Sequence, residues 1–512
     1  GLTIRDGVAN VLDPLPDFFN RLNSGAGVFV MGKDWDAYPD FLNCSFAHNT
    51  ALNSGGGVFV NGDGDGSVAP RFFNCRFEDN RAVRGDGGGL ARMGGSWVER
   101  GTDLDSCVFT GNYAGHWGGG YYYQDSERSD RQEIRRCAFT KNEAVEDGSA
   151  IYLTLGRANP KEFIVENTNI SSNYAPLGNI VRIFPRGFLY GKYFHTKNCE
   201  FTNNIARVRS VNQMSNVLLM DQIGSENSEI TLTNLCFSDN HNFISMLSPI
   251  WNEANFICER IIIRKNTCNS PIFLSDLKKA SASGVIIDSN LCNKIFLCSE
   301  AVNYFKLYNS LIYKNNFYTA VGDIVENNLK DSLIISNCNI LHHKFDFYYT
   351  KEDKYPNKFI FRNNHMFGQF DRKLFFASGK GTFLDNNSFD YLDCASFPTS
   401  ANIRCGPNNL IGIDPLFRDT ANGDYTLLPC SPLINAGDNT AAAGLPTDLA
   451  GNPRIQGGRV DIGPYEMPVF AAGSAPVVQA ACAGTPNGRV SLQPLYGCPP
   501  YTYHWRSDTG QE

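Results

Sequence analysis

Residues 43–46 read Asn-Cys-Ser-Phe, and residues 74–77 repeat the pattern as Asn-Cys-Arg-Phe. The large apolar residue that ends the pattern recurs every 30 to 32 residues, at Phe46, Phe77, Phe109, Phe139, Ile170 and Phe201. It continues at spacings of 22 to 36 residues, at Phe237, Ile263, Ile287, Ile312, Ile340, Phe367 and Phe389. A sustained period of this length is typical of stacked repeats, so the chain contains about thirteen equivalent units.

A second set of segments has the same period. Short runs that begin with glycine or alanine stand at residues 27–30, 57–60, 89–92, 120–123 and 150–153. Their β-branched and aromatic residues, bounded by Gly, Asn and Asp, indicate short strands separated by turns. Matching columns at one period require each strand to lie over its equivalent in the preceding unit. We therefore predict an all-β fold, a right-handed parallel β-helix of about thirteen coils.

The cysteines of the repeat are predicted to point into this solenoid. In Cys-x-Phe the first and third residues share a face, because strand side chains alternate, while the variable middle position suits solvent. We interpret the column as small, reduced, buried thiols rather than disulfides. Its members are Cys44, Cys75, Cys107, Cys137 and Cys199. The pattern does not decide the redox state of the cysteines at 258, 268, 292, 298, 394, 405 and 430.

An asparagine follows three residues after the large apolar residue. The column begins with Asn49, Asn80, Asn112 and Asn142 and continues to Asn315. Asn tolerates the left-handed backbone conformation of a sharp corner. Stacked Asn side chains also form hydrogen bonds along the axis of parallel strands. We therefore expect these residues to form an amide ladder at one corner of the coil.

The repeat ends near Gly406 and gives way to a different block. This block contains Asp448-Leu-Ala-Gly-Asn-Pro-Arg454 and Arg459-Val-Asp-Ile-Gly-Pro-Tyr-Glu466. It resembles the C-terminal segment of bacterial surface β-helix proteins of the pectate-lyase-like superfamily, called choice-of-anchor Q proteins. With the repeats, the resemblance covers residues 1 to about 466 and implies a scaffold without shared catalytic residues. It gives coils over residues 1–405 and a C-terminal cap over residues 406–466.

Residues 467–475 read as a linker because they are small and include proline. The following stretch contains Gly497-Cys-Pro-Pro-Tyr-Thr-Tyr-His-Trp505. It resembles the SprB-type repeat, an immunoglobulin-like module of Bacteroidota gliding-motility adhesins, so residues 476–512 are predicted to begin a β-sandwich. The resemblance implies export by type IX secretion and a disulfide between Cys482 and Cys498, since disulfides persist in exported modules. We expect the native chain to extend beyond both ends and to lie at the outer cell surface.

The composition excludes some classes of binding partner. The formal net charge is −7 and the isoelectric point is near 5.7, so no basic footprint for nucleic acid is present. No apolar run approaches the roughly 18 residues of a membrane span, and we predict no transmembrane segment. Polysaccharide or other surface proteins remain as candidate partners.

A calcium loop is one candidate site. Asn61, Asp63 and Asp65 stand where the first ligands of such a loop would be. The bidentate glutamate expected at loop position 12 is replaced by Phe72. A Gly-rich connection between coils is the favoured interpretation, and Ca²⁺ is the one cofactor that the sequence suggests.

Trp117, Tyr121 and Tyr123 form a second candidate, because aromatic rings stack on sugar rings. A neighbouring column of Phe29, Phe59, Ala91, Tyr122 and Tyr152 offers an alternative aromatic stripe. Arg92 stands next to that column, and arginine is rarely buried. We therefore expect Arg92 to face outward and the Phe59 column to pack in the core.

The sequence predicts no catalytic residues. Asp103, Asp105, Asp125 and Asp130 lie near one face, but they lack the paired-aspartate or basic-residue motifs of pectin-type enzymes. The leading hypothesis is a non-enzymatic secreted surface or matrix protein, an adhesin or structural rod. The alternative is a polysaccharide lyase or glycoside hydrolase on the same scaffold. A carboxylate cluster in a groove along the rod would discriminate between them.

Overall fold

A computed structural model describes most of the chain. The described residues are 1–9, 23–32, 36–62, 68–94, 101–124, 131–155, 162–185, 193–207, 215–221, 228–298, 302–317, 322–327, 331–346, 358–370, 381–390, 403–468, 477–479, 484, 489–492, 494 and 497–504. They contain strands and turns, one short 3-10 helix at Asn439–Ala442, and no α-helix. No helix among them is long and apolar enough to cross a membrane.

The strands stack in four parallel columns, which we name A to D in the order in which a coil visits them. Column A contains Asp40–Leu42, Arg71–Phe73, Asp103–Asp105, Arg131–Arg135, Glu162–Glu166, Tyr304–Tyr308, Ser332–Ser336, Lys358–Arg362, Gly381–Asp385 and Ile403–Cys405. Column B contains Thr3–Arg5, Ser45–Ala47, Arg76–Glu78, Val108–Thr110, Ala138–Thr140, Asn169–Ser171, Ile286–Asp288, Leu311–Tyr313, Asn339–Asp346, His365–Phe370, Ser388–Phe389 and Leu410–Ile411.

The other two columns complete each coil. Column C contains Val8–Ala9, Thr50–Ala51, Arg81–Ala82, Tyr113–Ala114, Glu143–Ala144, Tyr174–Ala175, Ile205–Ala206, Leu291–Cys292 and Asn316–Phe317. Column D contains Val28–Met31, Val58–Asn61, Leu90–Met93, Tyr121–Gln124, Ile151–Leu155, Val181–Pro185, Asn216–Asp221, Lys294–Cys298 and Gly322–Asn327. Four longer strands, Tyr193–Thr202, Glu229–Ser238, Phe243–Arg264 and Cys268–Ser283, run through corners and join columns. Asn339–Asp346 of column B also pairs, through its last residues, with Gly322–Asn327 of column D. The strands of each column are parallel, and crossovers between parallel strands of one sheet are right-handed, so we assign the solenoid as a right-handed parallel β-helix.

Column B holds the predicted apolar column in unbroken register. One residue per coil pairs with the next, in the order Ile4, Phe46, Phe77, Phe109, Phe139, Ile170, Phe201, Phe237, Ile263, Ile287, Ile312, Ile340, Met366, Phe389 and Ile411. The described residues thus form fifteen rungs, two more than the sequence predicted. Met366 is fully buried and Phe367 is 43% exposed, so the prediction of Phe367 was off by one residue. Spacing alone favoured the larger side chain, whereas the register decides which residue points inward.

Stacked rings fill the interior of the first coils. The rings of Phe77 and Phe109 lie 4.3 Å apart and nearly parallel, and those of Phe109 and Phe139 lie 4.6 Å apart. These distances match the spacing of adjacent strands, about 4.8 Å, because each ring repeats the position of the ring one rung away. Phe77, Phe109 and Phe139 are all fully buried. The repeat therefore sets the core directly.

The asparagine ladder follows the same axis. The backbone N–H of Asn80 and its side-chain Nδ2 both donate to Asn112 Oδ1, at 3.1 and 3.0 Å, and Nδ2 also donates to the Phe46 carbonyl at 2.8 Å. The pattern repeats from Asn49 to Asn142, and all four predicted residues are fully buried. The left-handed corner residue is the one before each ladder asparagine, for example Asp79 with φ 48°. The ladder asparagines were thus assigned the wrong backbone role, because the corner lies one residue earlier.

Replacing Asn80 with leucine is expected to lower the free energy of unfolding by about 1–3 kcal/mol, because buried hydrogen-bonding groups of Phe46 and Asn112 lose their partner. Urea unfolding followed by circular dichroism measures the loss. Asn169 is an exposed strand residue in the same solenoid, so Asn169→Leu is the matched control and should change little. Equal effects of the two substitutions would contradict the ladder's contribution.

The cysteine column lies beside the ladder and is free of disulfides. Cys75, Cys107, Cys137 and Cys199 are buried and Cys44 is partly exposed. The thiol of Cys107 donates to the Phe72 carbonyl at 3.3 Å. Burial raises the pKa of Cys199 to about 12, which keeps its thiol protonated and unreactive. In the last coils Asn364, Asn387 and Asn409 occupy this column and continue the hydrogen-bonded stacking.

Residues 412–468, which we call the C-terminal segment, lie along the side of the last coils. Side-chain amides of four corner residues donate to its carbonyls: Asn386 to Ala436, Asn363 to Asp438, Asn337 to Ala441 and Asn309 to Thr447. The rungs themselves continue to Leu410–Ile411, beyond the predicted boundary at residue 405. The segment therefore covers a flank of the rod.

Arg454 fixes the C-terminal segment. Its side chain is 1% exposed and donates to Glu466 Oε1 at 2.6 Å, to Asn337 Oδ1 at 2.9 Å and to the Gly463 carbonyl at 2.7 Å. Asp461 lies beside this group and accepts backbone N–H bonds from Asn435 and Met467, both at 2.6 Å. The motif residues on which the family resemblance depends thus form a buried contact between the C-terminal segment and the coils. We call this contact the latch.

A disulfide joins the C-terminal segment to the following module. Cys498 pairs with Cys430, with 4.8 Å between their Cα atoms, so the predicted Cys482–Cys498 pairing is wrong. The partners are 68 residues apart, and their contact depends on how the module meets the segment, which spacing within the module does not reveal. Cys482 lies outside the described residues. Cys405 is also disulfide-bonded.

The described part of the C-terminal module is a small antiparallel pair. Val477–Gln479 pairs with Arg489–Ser491 in antiparallel register. This agrees with the beginning of a sandwich, whose strands are antiparallel. The immunoglobulin-like character of the module stays a prediction.

Candidate functional site

Both tyrosines of the predicted sugar-binding site lie inside the solenoid. Tyr121 and Tyr123 are fully buried on the inward face of column D, and Arg92 is fully buried with them. The Arg92 guanidinium lies 4.9 Å from the Tyr123 ring centroid and donates to the Val68 carbonyl at 3.1 Å. The expectation that Arg92 faces outward was therefore wrong, because a ring and a carbonyl hold its charge in the interior.

The outward face of column D carries the aromatic stripe instead. Phe59, Ala91, Tyr122 and Tyr152 form a separate cluster outside the solenoid core, and Trp117 packs against it. The indole stacks on the Tyr152 ring at 5.1 Å and on the Tyr122 ring at 6.2 Å. Tyr122 and Tyr152 are 1% and 5% exposed. We call Trp117 and these four residues the shoulder cluster.

A glycine turn presents the polar part of the site. Residues 115–120 connect Tyr113–Ala114 to Tyr121–Gln124. Gly118 has φ +69°, and a Cβ there would lie 2.7 Å from the Tyr121 carbonyl oxygen. Only glycine fits this tight turn without strain. The turn places His116, which is partly exposed, next to Trp117 of the shoulder cluster.

His116 is bonded to carboxylates of two neighbouring coils. Its Nδ1 lies 2.9 Å from Asp86 Oδ1, and its Nε2 lies 2.8 Å from Glu146 Oε2. Asp86 Oδ1 also accepts the Trp117 backbone N–H at 3.1 Å. The hydrogen bond to Asp86, with the charges of Asp86 and Glu146, raises the pKa of His116 above its ordinary value. The imidazolium therefore joins three successive coils.

A second ion pair borders the cluster. Asp147 Oδ1 accepts hydrogen bonds from the Gly148 N–H and from both nitrogens of Asn179, each at 2.8 Å. Its Oδ2 pairs with the Arg182 guanidinium, which lies 5.8 Å from the Tyr152 ring centroid. Asp147 is 5% exposed and Arg182 is partly exposed. Because Asp147 is buried, this ion pair stabilises the fold and offers little surface to a ligand.

This arrangement can hold and pass a proton. Asp86 is largely covered, whereas the Glu146 side chain is half exposed, so only the Glu146 end of the chain of hydrogen bonds is open to a solute. The rings of Phe59, Tyr122 and Tyr152 are buried and only that of Trp117 is partly exposed, so the shoulder cluster does not offer a row of rings to a sugar. His116 meets each carboxylate through a different nitrogen, and no metal-binding group of three or more ligands is present among the described residues.

The remaining candidates are separate from this site. Asn61 ends the strand Val58–Asn61 and is 1% exposed, while Asp63 and Asp65 lie outside the described residues, so the calcium loop stays a prediction. Asp105 pairs with Arg136 on the rod surface. Asp103 lies in the same strand, and Asp125 and Asp130 lie outside the described residues.

Sequence reasoning did not single out His116. The available signal was its position: Asp86 precedes it by 30 residues and Glu146 follows it by 30, which is one coil in each direction. Charged partners one period apart lie next to each other in a parallel solenoid. Applying the period to the polar residues as well as the apolar ones would have identified the group.

Comparison with known proteins leaves the family open. No protein-family model matches the chain. No curated protein matches it. Similar solved structures include that of pectate lyase Pel9A, with 12% sequence identity, 86% of this chain and 88% of that chain covered, and a TM-score of 0.29. A likeness of this degree carries no argument about activity, and the fold assignment rests on the strand register.

Proposed function

We propose that the chain is a non-enzymatic structural rod of the cell surface or extracellular matrix, which presents partner-binding sites at a distance from its anchor. The observation that carries this proposal is the unbroken register of fifteen rungs, whose buried amides bond along the axis. At about 4.8 Å per rung the rod is roughly 70 Å long. Ladders of this kind favour stiffness over movement.

The disulfide supports an extracellular location. Cys430–Cys498 ties the C-terminal segment to the next module, and disulfides persist in oxidising compartments. The resemblance of the module to SprB-type repeats favours the outer surface of a Bacteroidota cell, reached by type IX secretion. Polysaccharide or other surface proteins are the proposed partners.

Protease treatment of intact cells tests the location. Surface display predicts that external protease removes the protein while cytoplasmic proteins survive, and that Cys430 and Cys498 resist alkylation until a reductant is added. A deletion strain should lose adhesion or matrix integrity. Protection from external protease together with reduced Cys430 and Cys498 would overturn the proposal.

A polysaccharide lyase or glycoside hydrolase is the second candidate. The observation that favours it is the Asp86–His116–Glu146 group, since a half-exposed carboxylate coupled to an imidazole is suited to general acid–base chemistry.

We expect the purified protein to release neither reducing nor unsaturated ends from acidic or neutral polysaccharides, because Tyr122 and Tyr152 are buried and the Glu146 carboxylate is already paired with His116. Reducing-end and ultraviolet assays measure this. Release of ends that Glu146→Gln abolishes would establish the enzyme. Glu143→Gln, in the neighbouring strand Glu143–Ala144, is the matched control.

A further inference from the structure

The Cys430–Cys498 disulfide closes a loop of the chain that contains the latch. Its two cysteines are 68 residues apart, and Arg454, Asp461 and Glu466 lie between them in the sequence. The chain therefore leaves the C-terminal segment after the latch and returns to it through this bond. The C-terminal module is tied to the segment twice, by the polypeptide and by the disulfide.

The turn that carries Cys430 is fixed on the segment by contacts that do not use the sulfur. Ser431 Oγ donates to the Pro415 carbonyl at 2.6 Å and accepts the Leu433 N–H at 3.2 Å. Leu433 is fully buried in the apolar cluster of the segment. These contacts remain when the disulfide opens, so we expect the turn to keep its place on the segment.

The described strands of the module are not buried against the rod. Arg489, Val490 and Ser491 are all exposed, and Gln479 of the partner strand is exposed as well. Successive side chains of a strand point to opposite faces, so neither face of Arg489–Ser491 packs against the coils or the segment. This strand pair is therefore held to the segment through the chain and the disulfide, and not by burial of its own faces.

The disulfide itself is accessible to a reductant. Cys430 and Cys498 are both exposed. Cys430 also has φ 76°, in the left-handed region that is unfavourable for a residue with a Cβ. Exposed and strained disulfides are the ones that thiols reduce most easily. The disulfide of Cys405 differs, because Cys405 is partly buried and packs against the core of the coils.

We propose that the Cys430–Cys498 disulfide is a redox switch, which a dithiol opens to free the module while the latch and the coils keep their structure. A thiolate of the reductant attacks Sγ of Cys498, the bond between the two sulfurs breaks, and the Cys430 thiolate leaves. The second thiol of the reductant then attacks the reductant sulfur of this mixed disulfide and releases the Cys498 thiolate. The two protons of the dithiol pass to Cys430 and Cys498, and the reductant ends as a disulfide.

The freed module is then joined to the segment only by the predicted linker, residues 467–475. Reduction therefore changes the orientation of the module relative to the rod. The proposal concerns the isolated chain and does not depend on where the rod is displayed.

Alkylation with iodoacetamide in graded dithiothreitol, followed by peptide mass mapping of the full chain, tests the opening. Cys430 and Cys498 should be labelled about tenfold faster than Cys405, because exposed disulfides exchange first. Cys107 is a fully buried free thiol and should stay unlabelled, which shows that the coils remain folded. Labelling of Cys430 no faster than that of Cys405, or together with that of Cys107, would contradict a local switch.

Small-angle X-ray scattering of the full chain tests the release of the module, at a dithiothreitol concentration that leaves Cys405 unlabelled. The maximum dimension should increase on reduction. Cys430→Gly removes the sulfur and suits the left-handed backbone, so it should give the reduced profile with and without dithiothreitol. Cys44 is a partly exposed free thiol of the coils, so Cys44→Ser is the matched control and should respond to the reductant like the wild type.

Two outcomes of the scattering experiment would overturn the proposal. One is an unchanged profile after mass mapping shows complete reduction of Cys430 and Cys498. The other is a profile of Cys430→Gly that matches the oxidised wild type. Cys498→Ser opens the same bond from the module side, so it replaces Cys430→Gly if that variant has a lower melting temperature.

Discussion

Replacing Arg454 with methionine is expected to lower the free energy of unfolding by about 3–5 kcal/mol, because it leaves a buried carboxylate without its cation. Arg454 and Glu466 have side chains 1% and 0% exposed, and their 2.6 Å contact lies between Asn337 of the rod and Asp461 of the C-terminal segment. Urea unfolding followed by circular dichroism measures the loss. Limited proteolysis of the variant should release the C-terminal segment before the coils are cut.

Two further variants separate the latch from a general loss of charge. Arg459 lies five residues away, is exposed and donates to the Gly437 carbonyl, so Arg459→Met should cost far less. The double variant Arg454→Met/Glu466→Met removes both charges and should recover part of the stability. Burial raises the pKa of Glu466 and the Arg454 charge lowers it, so the loss of Arg454 should raise this pKa further. The deficit of the single variant should therefore grow toward alkaline pH, where the wild-type carboxyl ionises and that of the variant stays protonated. A double variant less stable than the single one would contradict the latch.

The repeat made the solenoid predictable, because a parallel β-helix converts each structural column into a sequence column. Phe77 and Asn80 could be placed from spacing alone, and both lie where the period puts them. The inward-facing residues are harder to predict in coils that depart from the period. In one such coil the spacing favoured Phe367, whereas the register places Met366 inward. The register depends on hydrogen bonds between strands, which vary less than the side chains do.

Contacts between distant residues were not predictable in the same way. Arg92 is buried because the Tyr123 ring and the Val68 carbonyl receive it. Tyr123 holds the same position one coil later, but the contact with the Val68 carbonyl does not follow from the column. Cys498 pairs with Cys430 because the module meets the C-terminal segment there. The general rule that arginine is rarely buried predicted an outward Arg92. The expectation that disulfides form within one module predicted a pairing of Cys498 with Cys482.

The candidate site lies between these two cases. Asp86, His116 and Glu146 come from three coils at one period, so their contact follows from the repeat once polar residues are placed on it. The covering of Trp117 and Tyr152 does not follow from it, because it depends on how the turns lie over column D. The asparagines at the corner between columns A and B, to which the C-terminal segment binds, show the same division. Their spacing can be read from the sequence, whereas the segment that covers them cannot.

Acidification from pH 6.5 to 4 is expected to remove about 3 kcal/mol of stability through His365 alone. Burial lowers the pKa of His365 from 6.5 to about 4, and the ring packs against Phe417 of the C-terminal segment at 5.2 Å. Between these two pH values the unfolded chain binds a proton that the folded chain excludes, so stability is complete above pH 6.5 and falls as the pH approaches 4. Each pKa unit corresponds to about 1.4 kcal/mol.

Urea unfolding at a series of pH values measures this contribution, and His365→Asn should flatten the dependence between pH 6.5 and 4. Asparagine suits the position because Asn339 pairs with His365 in the neighbouring rung. His241 is exposed and its ring nitrogen contacts Thr267, so His241→Asn is the matched control and should leave the pH dependence unchanged. Carboxyl groups that titrate in the same range affect all three proteins alike, so the difference between variants isolates the imidazole. The same slope in His365→Asn and the wild type would show that the buried ring does not control the acid stability of the C-terminal segment.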